Sequence, residues 1–464
     1  MGTDREEVDP FDTWKTAPSE ARPSEPPRLP STLVQLVCAD DLRPPSVRHW
    51  LDGCTEIRIH RARSPSVRRE GSTLTLGLAD PYASNEHLLV RATSAGFVVS
   101  DEGSTNGTWV EGRRLAPGEE RALVEGLVEV GHTFFHLRSE VRGTQDAPAD
   151  ADPADPLTFQ AEFALGLSSA GRLARRSHDV LITGESGAGK EVLARWLHRI
   201  SGRKGGLVAV NCAAVPEHLL EDELFGHVKG AFSGAVGDRA GLLRAAHEGT
   251  LLLDEVGDMP LPLQAKLLRV IEDRRVRPVG SEEEIRVDIL VIAATHRDLR
   301  TLVGEGRFRE DLLARLGLLP VRVPPVRERR EDLGLLVRRM VKEVPRGLER
   351  VHFELDALRM LLLHPWPLNV RELRRALLAA IDLAGTDDGP VLIGPQHLPA
   401  ALERPPSPPL SEPLSEEDRE LRGTLVTLLA RHRGNVAAVA RELGKPRTRV
   451  QRLMARLGVE RPTD

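Results

Sequence analysis

Hydrophobic and polar residues alternate in three different ways along the chain. Residues 32–138 contain short β-type runs, among them EIRIHRA, TLTLGL and GFVVSD, separated by turns with glycine, which is typical of an all-β sandwich. Residues 157–402 alternate apolar runs such as DVLITG and GTLLLDE with amphipathic helical stretches, which predicts an α/β domain with a parallel sheet. Residues 417–464 show helical periods alone and are predicted to be all-α.

Stretches rich in proline and charge separate these three parts. Residues 1–31 are predicted to be a disordered leader, residues 139–156 an acidic linker, and residues 403–416 a proline-rich spacer. A chain of 464 residues exceeds the size at which a single hydrophobic core stops growing. Three folded domains are therefore expected.

Composition argues against a disulfide-rich, a secreted or a membrane protein. The three cysteines, Cys38, Cys54 and Cys212, lack the spacing of a metal site or a disulfide framework. The first residues are acidic where a signal peptide would be basic, and no apolar run has the length of a membrane span. These features predict a cytoplasmic protein without a membrane segment. Lys and Arg outnumber Asp and Glu in residues 417–464, which favours a polyanionic partner for that end.

A phosphate-binding loop is predicted where an apolar strand meets a helix. The run GESGAGKE places Gly184, Gly189 and Lys190 at the required spacing. Backbone N–H groups of such a loop cradle phosphate oxygens, and Lys190 can reach the β- and γ-phosphates. Glu191 stands where a Ser or Thr hydroxyl normally contacts magnesium, so the metal must rely on other ligands and water.

Two adjacent carboxylates are candidates for the chemistry on that phosphate. The apolar run GTLLLDE ends in Asp254 and Glu255. Asp254 is predicted to hold hydrated Mg²⁺, and Glu255 to orient and deprotonate the attacking water. Such a pair alone is usually a solvated corner, but its place one crossover after a phosphate loop favours ATP hydrolysis.

Eight segments together resemble a known family. In order they are GESGAGKE, VNCAA, ELFGHVKGAFSGA, GTLLLDEVGDM, AATHRDL, FREDLLARL, VPPVRERREDL and WPLNVREL. They resemble the AAA+ ATPase domain of bacterial enhancer-binding proteins, the NtrC-like activators of sigma-54 RNA polymerase. The resemblance covers residues 180–380 or so and implies a P-loop ATPase with a helical lid. It also implies a hexameric ring that binds ATP and Mg²⁺.

The resemblance assigns roles to the matching residues. The ATP-binding residues are Gly184, Glu185, Ser186, Gly187, Ala188, Gly189, Lys190, Glu191 and, at sensor II, Arg371. The catalytic residues are Asp254 and Glu255, the switch residue Asn211, the sensor I residue Thr295 with its neighbour His296, and the arginine fingers Arg309 and Arg315. In this family the arginine fingers reach the nucleotide of the neighbouring subunit.

A glycine-rich loop is implied to contact sigma-54. It consists of Gly230, Ala231, Phe232, Ser233, Gly234 and Ala235, and it offers the ring of Phe232. The family normally has threonine where Ser233 stands, and glycine where Leu368 stands in WPLNVREL. Neither change removes a charged catalytic group.

The N-terminal segments DEGSTNGTWVEGRRL, DPYASNEHLLV and IRIHRARS resemble a forkhead-associated (FHA) domain, a phosphothreonine-binding sandwich. The resemblance implies that phosphate and peptide backbone are held by Arg61, Ser84, Asn85, Thr105 and Asn106. It gives the nearby His87 a structural role. His60 replaces a usual glycine, and a fold retained without its phosphopeptide site is the alternative.

The C-terminal runs GNVAAVARELG and KPRTRVQRLMARLGV have helix-turn-helix spacing and resemble a Fis-type DNA-binding domain. The candidates for DNA contact are Arg447, Thr448, Arg449, Gln451 and Arg452. A solvated basic face is the alternative.

These resemblances predict a transcription activator bound to enhancer DNA. It would use ATP hydrolysis to remodel the closed sigma-54 polymerase complex, under control of an FHA domain that recognises a phosphothreonine protein or a Ser/Thr kinase. Two alternatives are a non-catalytic, phosphopeptide-regulated DNA-binding repressor and an AAA+ ATPase that remodels another substrate. The presence of Lys190, Glu255 and Arg309 argues against the repressor.

Overall fold

The chain divides into two units, Met1–Glu403 and Arg404–Asp464. The structure, a computed structural model, describes residues 31–116, 118–139, 141, 156, 158–317, 320–345, 347–385, 389–400 and 402, and the single positions or pairs 428, 431–432, 438–439 and 442–443. The leader up to residue 30, most of the acidic linker, the spacer, and Arg447, Thr448, Arg449, Gln451 and Arg452 lie outside the described residues.

Two sheets build the N-terminal part of the first unit. Their strand orders are β2-β1-β12-β11-β8-β9 and β10-β7-β6-β3-β5-β4. The strands are β1 Thr32–Cys38, β2 Val47–Trp50, β3 Glu56–Arg61, β4 Ser66–Glu70, β5 Thr73–Leu78, β6 Leu88–Thr93, β7 Gly96–Asp101, β8 Thr108–Val110, β9 Arg113–Arg114, β10 Glu120–Leu123, β11 Glu125–Val130 and β12 Thr133–Arg138. Neighbouring strands are antiparallel except β3 and β5, which are parallel.

The core of this sandwich follows from side-chain alternation. On β3, Ile57 and Ile59 are buried between the sheets while Arg58 faces solvent. From the other sheet, Phe135 and Leu137 of β12 join the same core. The predicted β-sandwich is therefore confirmed.

The next part is a parallel sheet with helices around it. The sheet order is β14-β17-β20-β13-β21, from the strands β13 Val180–Thr183, β14 Leu207–Asn211, β17 Thr250–Asp254, β20 Leu290–Thr295 and β21 Val321–Arg322. The helices are α1 Ala161–Arg175, α2 Lys190–Ser201, α3 Glu217–Phe225, α4 Leu242–Ala245, α5 Leu261–Asp273, α6 Leu299–Gly304 and α7 Glu310–Leu316. Two hairpins extend from it: β15 Gly226–His227 with β16 Arg239–Ala240, and β18 Arg275–Val276 with β19 Ile285–Arg286. This confirms the predicted α/β domain.

A helical lid follows the sheet. It contains α8 Leu333–Lys342, β22 Val351–Phe353, α9 Leu355–Leu363, α10 Asn369–Ala384 and β23 Val391–Ile393, with β22 and β23 parallel. Short 3-10 helices span Val256–Asp258 in the sheet domain and Val326–Glu328, Arg330–Asp332 and Pro395–His397 at the lid. None of the helices in the described ranges has the length and apolar character needed to cross a membrane.

The lid packs against the outer face of the first sandwich sheet. Leu36 of β1 and Phe134 of β12 share a buried core with Leu333 and Val337 of α8. Strand β12 is therefore buried on both faces, because Phe134 points to the lid while Phe135 points into the sandwich.

A buried ion pair crosses this contact. Arg359 of α9 donates to both carboxylate oxygens of Glu129 on β11, at 2.8 and 2.7 Å. The guanidinium also lies over the ring of Trp109, 4.1 Å from its centroid. Both charged groups are buried, so the Glu129 carboxylate depends on Arg359 for its charge balance, while Arg359 also pairs with Asp356.

Replacement of Arg359 by alanine is expected to lower the free energy of unfolding by about 3–5 kcal/mol, because it leaves the Glu129 carboxylate buried without its cation. The matched control is Arg374→Ala, which breaks an exposed pair with Glu343 and is expected to cost less than about 1 kcal/mol. Urea unfolding followed by tryptophan fluorescence measures both. Equal losses in the two variants would contradict the packing described above.

Candidate functional site

The loop between β13 and α2 has the backbone of a phosphate cradle. Gly184, Gly187 and Gly189 have φ angles of 154°, 75° and 111°, a region that residues with a Cβ rarely adopt. The loop runs into the N-terminus of α2, where unpaired backbone N–H groups favour an anion. Lys190 is buried and donates from Nζ to the carbonyl of Gly184 at 2.9 Å.

Glu191, the second residue of α2, points away from this cradle. Its carboxylate pairs with Arg195 one turn later at 2.6 Å, and both side chains are exposed. It therefore does not take the place of the Ser or Thr hydroxyl that usually contacts the metal.

Three neighbouring parallel strands bring polar side chains to the same edge of the sheet. Asn211 ends β14, Asp254 ends β17 and Thr295 ends β20. Asn211 donates from Nδ2 to Asp254 Oδ2 at 3.1 Å, in line with the register of β14 and β17. The amide of Asn211, the switch residue that the resemblance implies, therefore contacts Asp254, the residue before Glu255.

Glu255 is held by two groups. Its Oε2 accepts from the backbone N–H of His296 at 3.1 Å and lies 2.6 Å from the ring Nδ1, while Oε1 lies 3.5 Å from Lys190 Nζ. Burial raises the pKa of Glu255, but the His296 hydrogen bonds and the Lys190 charge outweigh it and hold the pKa below its usual value. Burial and the charge of Glu255 raise the pKa of Asp254.

His296, which the resemblance places at sensor I beside Thr295, is the side chain that contacts Glu255. Thr295, the predicted catalytic sensor, is fully buried, and its hydroxyl accepts from the backbone N–H of Arg297 at 3.1 Å. The side chain that reaches Glu255 belongs to the next residue. Its position directly after a strand that pairs with β17 was the signal available in the sequence.

The lid contacts the phosphate loop through the turn before α10. Asn369 is fully buried, with φ 59°, and its Nδ2 donates to Glu185 Oε2 and to the Ser186 carbonyl, both at 3.1 Å. Its Oδ1 accepts from the backbone N–H of Val326 at 2.9 Å. Arg371 lies close by, with Nη1 3.3 Å from Ser186 Oγ. Asn369 was not predicted as a site residue, although asparagine is the side chain that best tolerates a left-handed backbone.

Leu368 replaces the family glycine without backbone strain. Its φ is −98°, and the left-handed residues of the turn are Trp366 and Asn369. Its carbonyl lies so close to Gly187 that a Cβ on Gly187 would collide with it.

An ion pair ties Glu185 to the lid side of the loop. Arg327 Nη1 donates to Glu185 Oε2 at 2.8 Å. The hydrogen bonds from Arg327 and then Asn369 lower the pKa of Glu185 to about 2. Of the other predicted loop residues, Ala188 is buried and its carbonyl accepts from Arg329 at 2.7 Å.

The predicted arginine fingers lie at the two ends of α7, with Arg309 as its N-cap residue, and both face solvent. Within the described residues, the Arg309 guanidinium pairs with Asp311 at 2.7 Å rather than with the phosphate loop of its own chain. Arg315 lies in the last turn of the same helix and is exposed.

The predicted sigma-54 contact forms the tip between β15 and β16. Gly230 and Gly234 have φ angles of 84° and 116°, and Gly230 donates to the Ala235 carbonyl at 2.9 Å. Phe232 is 47% exposed, and its ring meets the His227 ring edge-on at 5.0 Å. Ala231 lies between Gly230 and Phe232, and Ser233 is exposed at the tip.

At the other end of this hairpin, Gly226 and Gly241 form a narrow neck. A Cβ on Gly226 would collide with backbone atoms of Arg239 and Gly241, and one on Gly241 would collide with Gly226 and Leu224. The strands there are too close for any side chain.

The five residues predicted to hold phosphothreonine lie together at one end of the sandwich. Arg61 Nη2 donates to Asn85 Oδ1 at 3.1 Å, and the Thr105 backbone N–H donates to Ser84 Oγ at 3.0 Å. Asn106 Nδ2 donates to the carbonyl of Tyr82 at 2.7 Å.

His87 is buried beneath these loops. Its Nδ1 accepts from the Ser84 backbone N–H at 3.0 Å, and its Nε2 lies 3.3 Å from the Gly107 carbonyl. Burial lowers the pKa of His87, which favours the neutral ring. The ring therefore braces the two loops and leaves the open face to Arg61 and Asn106.

Three protein families match this chain. Residues 159–322 match the Sigma-54 interaction domain, residues 327–412 the AAA+ ATPase lid domain, and residues 64–128 the FHA domain. These matches cover the phosphate loop, the sheet edge, the lid turn and the middle of the sandwich, whereas Arg61 and β12 lie outside the FHA match.

Several curated proteins are similar. The regulatory protein AtoC of Escherichia coli (strain K12) is 41% identical over 63% of this chain and 65% of its own length. The transcriptional regulatory protein GlrR of the same strain is 40% identical over 67% of this chain and 70% of its own. The chain thus spans about two thirds of such relatives. A crystal structure of NtrX from Brucella abortus in complex with ATP is 34% identical over 66% of this chain and 69% of its own, with a TM-score of 0.48.

Gly187→Ala is expected to weaken nucleotide binding by about tenfold or more, because the new Cβ meets the Leu368 carbonyl and the φ of 75° adds strain. Gly202→Ala is the matched control. Gly202 has a similar φ of 70° with open space around its Cβ, so the strain alone remains. Titration with a fluorescent ATP analogue measures both, and equal affinities would show that the lid turn does not constrain the loop.

Proposed function

Because the chain belongs to the family of transcriptional regulators that carry the sigma-54 interaction domain, we propose that it hydrolyses ATP to activate transcription by sigma-54 RNA polymerase. The observation that carries the proposal is the convergence of the phosphate loop, the carboxylates of Asp254 and Glu255, and the lid residue Arg371. The exposed ring of Phe232 on its hairpin is the feature that favours sigma-54, rather than another protein, as the substrate of the ATPase domain.

The site fits a nucleoside triphosphate with magnesium. The left-handed glycines and the N-terminus of α2 favour phosphate, and Lys190 supplies a buried cation. Asp254 is the carboxylate that would hold Mg²⁺, since Glu191 is turned toward Arg195. Bound MgATP supplies the phosphoanhydride bond and a metal that neutralises the phosphate charge.

Glu255 acts as the base in this proposal. The His296 hydrogen bonds keep its carboxylate ionised and oriented, so it can accept a proton from water. Arg371 contributes positive charge from the lid. Arg309 and Arg315 serve the site of a neighbouring copy, which makes a ring, hexameric in this family, part of the proposal.

A short path leads from the carboxylates to the hairpin. Asn211 contacts Asp254 and ends β14, and α3 then runs from Glu217 directly into β15. A change at Asp254 on hydrolysis is thereby transmitted to the tip that carries Phe232.

Two variants separate hydrolysis from activation. Glu255→Gln is expected to retain nucleotide binding and lose ATPase activity by about 10²-fold or more, because the amide cannot accept the proton. Phe232→Ala is expected to keep the ATPase and lose sigma-54 open-complex formation on promoter DNA. Val67→Ala, another exposed apolar site on β4, is the control and is expected to keep both activities. Full activation by Phe232→Ala would point to an AAA+ ATPase with another substrate, and full ATPase activity in Glu255→Gln would exclude the proposed base.

The proposal also covers the domains on either side of the ATPase. The proposed domain boundaries are 32–138 for the FHA domain, 157–402 for the ATPase domain and 417–464 for a Fis-type domain that binds enhancer DNA. Such a protein acts in the bacterial cytoplasm. The FHA residues around Arg61 recognise a phosphothreonine protein and so control the ATPase.

Arg61→Ala is expected to weaken binding of a fluorescent degenerate phosphothreonine peptide pool by about tenfold or more, because a charge-assisted phosphate contact is lost. Fluorescence anisotropy with the full-length protein measures this, and the unphosphorylated pool gives the background. Arg68→Ala, on the exposed strand β4, is the control. Unchanged binding in Arg61→Ala would mean that the phosphopeptide site has been lost or lies elsewhere.

A further inference from the structure

The FHA sandwich and the ATPase lid meet in an interface that is charged as well as apolar. Besides the pair between Arg359 and Glu129, Arg330 on the lid side reaches Glu111 at 3.1 Å. Arg138 of β12 pairs with the buried Glu331 of the 3-10 helix Arg330–Asp332. Domains of one chain usually move relative to each other unless their interface is extensive and apolar, and here a shared apolar core is combined with buried ion pairs. The two parts are therefore expected to respond to one another.

Backbone and side chains also join β1 to the lid strand β22. The Phe353 N–H donates to the Ala39 carbonyl at 3.1 Å, and His352 Nδ1 lies 2.9 Å from the Asp40 carbonyl. On the other side of β1, a Cβ on Gly334 of α8 would collide with the Leu36 carbonyl. The end of β1 is thus held between two lid elements.

The proposed phosphothreonine loops are linked to this contact through the side chains of Tyr82 and His132. Tyr82, whose carbonyl accepts from Asn106, stacks its ring on His132 with centroids 3.6 Å apart and planes 9° from parallel. His132 Nδ1 lies 2.7 Å from Asp40 Oδ2, next to the lid strand. Asp80 braces the joint, accepting from the backbone N–H groups of Tyr82 and His132 at 2.8 and 2.7 Å.

The lid also connects β22 to the phosphate loop of the nucleotide site. Strand β22 leads into α9, and α10 begins at Asn369, which is bonded to the phosphate loop. Phe353 and Leu373 belong to the same buried core, so the two ends of the lid pack as one body. A closely packed core transmits a displacement rather than absorbing it.

We infer that the outer face of the FHA sheet is a binding surface for the lid of its own chain, and that through it phosphothreonine and nucleotide occupancy influence each other's affinity. Tyr82, His132 and Asp40 act as positioning residues between the phosphopeptide loops and β22. The inference rests on the proposed recognition of phosphothreonine and of ATP. Because such coupling is reciprocal, nucleotide must change peptide affinity by the factor by which peptide changes nucleotide affinity.

The first test measures that factor in the full-length protein. Anisotropy of the labelled phosphothreonine pool is titrated without nucleotide and with saturating ADP or a non-hydrolysable ATP analogue. In the wild-type protein the peptide affinity is expected to change by about fivefold or more with nucleotide. An unchanged affinity overturns the inference even when peptide and nucleotide both bind.

Variants of the joint then separate coupling from binding. His132→Ala is expected to bind peptide and nucleotide separately as the wild type does, while the nucleotide effect on peptide affinity falls below about twofold. Asp40→Asn, whose side-chain oxygen can still accept from His132, is expected to retain the effect. Val124→Ala, an exposed change between β10 and β11, is the matched control. Coupling that survives in His132→Ala excludes this route.

A second measurement does not depend on the peptide. Hydrogen exchange of the loop 80–87 and of the strand Val351–Phe353 is followed with and without nucleotide alone. Nucleotide is expected to change exchange in both segments of the wild-type protein, and in the lid strand alone in His132→Ala. If nucleotide leaves hydrogen exchange of the loop 80–87 unchanged in the wild-type protein, the inference is overturned. Failure of the peptide pool to bind, with a responsive loop, instead removes the phosphothreonine assignment and leaves the interface standing.

Discussion

One buried amide joins the two halves of the nucleotide site. Asn369 binds the phosphate loop with its Nδ2 and the backbone of Val326 with its Oδ1, so this buried side chain links the loop directly to the lid. A buried polar group of this kind must keep its partners, because an unpaired amide in the interior costs about 1–3 kcal/mol. The position of Arg371 in the first turn of the same helix follows from it, as does the close approach of Leu368 to Gly187.

The lid contacts both the ATPase sheet domain and the sandwich. On one side it contacts the phosphate loop, and on the other it buries Phe134 and pairs Arg359 with Glu129 of the sandwich. At the carboxyl edge of the sheet, the pKa values of the adjacent residues Asp254 and Glu255 are shifted in opposite directions. His296 and Lys190 favour the charged form of Glu255, whereas burial beside that charge disfavours the charged form of Asp254. Glu255 is the base in the proposed function, and Asp254 is the proposed Mg²⁺ ligand.

Local patterns predicted the elements of this fold but not the contacts between them. The alternation of β3 and the apolar run before Asp254 are local features, and both predicted their strands. Phe134 has the same local pattern as Phe135, so nothing in the sequence assigns one ring to the lid and the other to the sandwich. Arg359 likewise has the local pattern of a solvated helix position, because its partner Glu129 is 230 residues away along the chain. Asn369 was missed for the same reason, since its role depends on neighbours brought by other elements. His296 was assigned to sensor I, but its contact with Glu255 was not predicted.

The hairpin that carries Phe232 has opposite properties at its two ends. At the neck, Gly226 and Gly241 lie backbone against backbone, and a single added methyl group has no space there. At the tip, Ser233 is exposed, so a hydroxyl-bearing side chain with or without a methyl fits equally well in the free protein. The fold of the chain itself therefore restricts side-chain size at the neck of the hairpin and leaves it unrestricted at the exposed tip. Any cost of serine in place of threonine at position 233 would therefore arise only in the complex with the proposed partner, and not in the folding of the free chain.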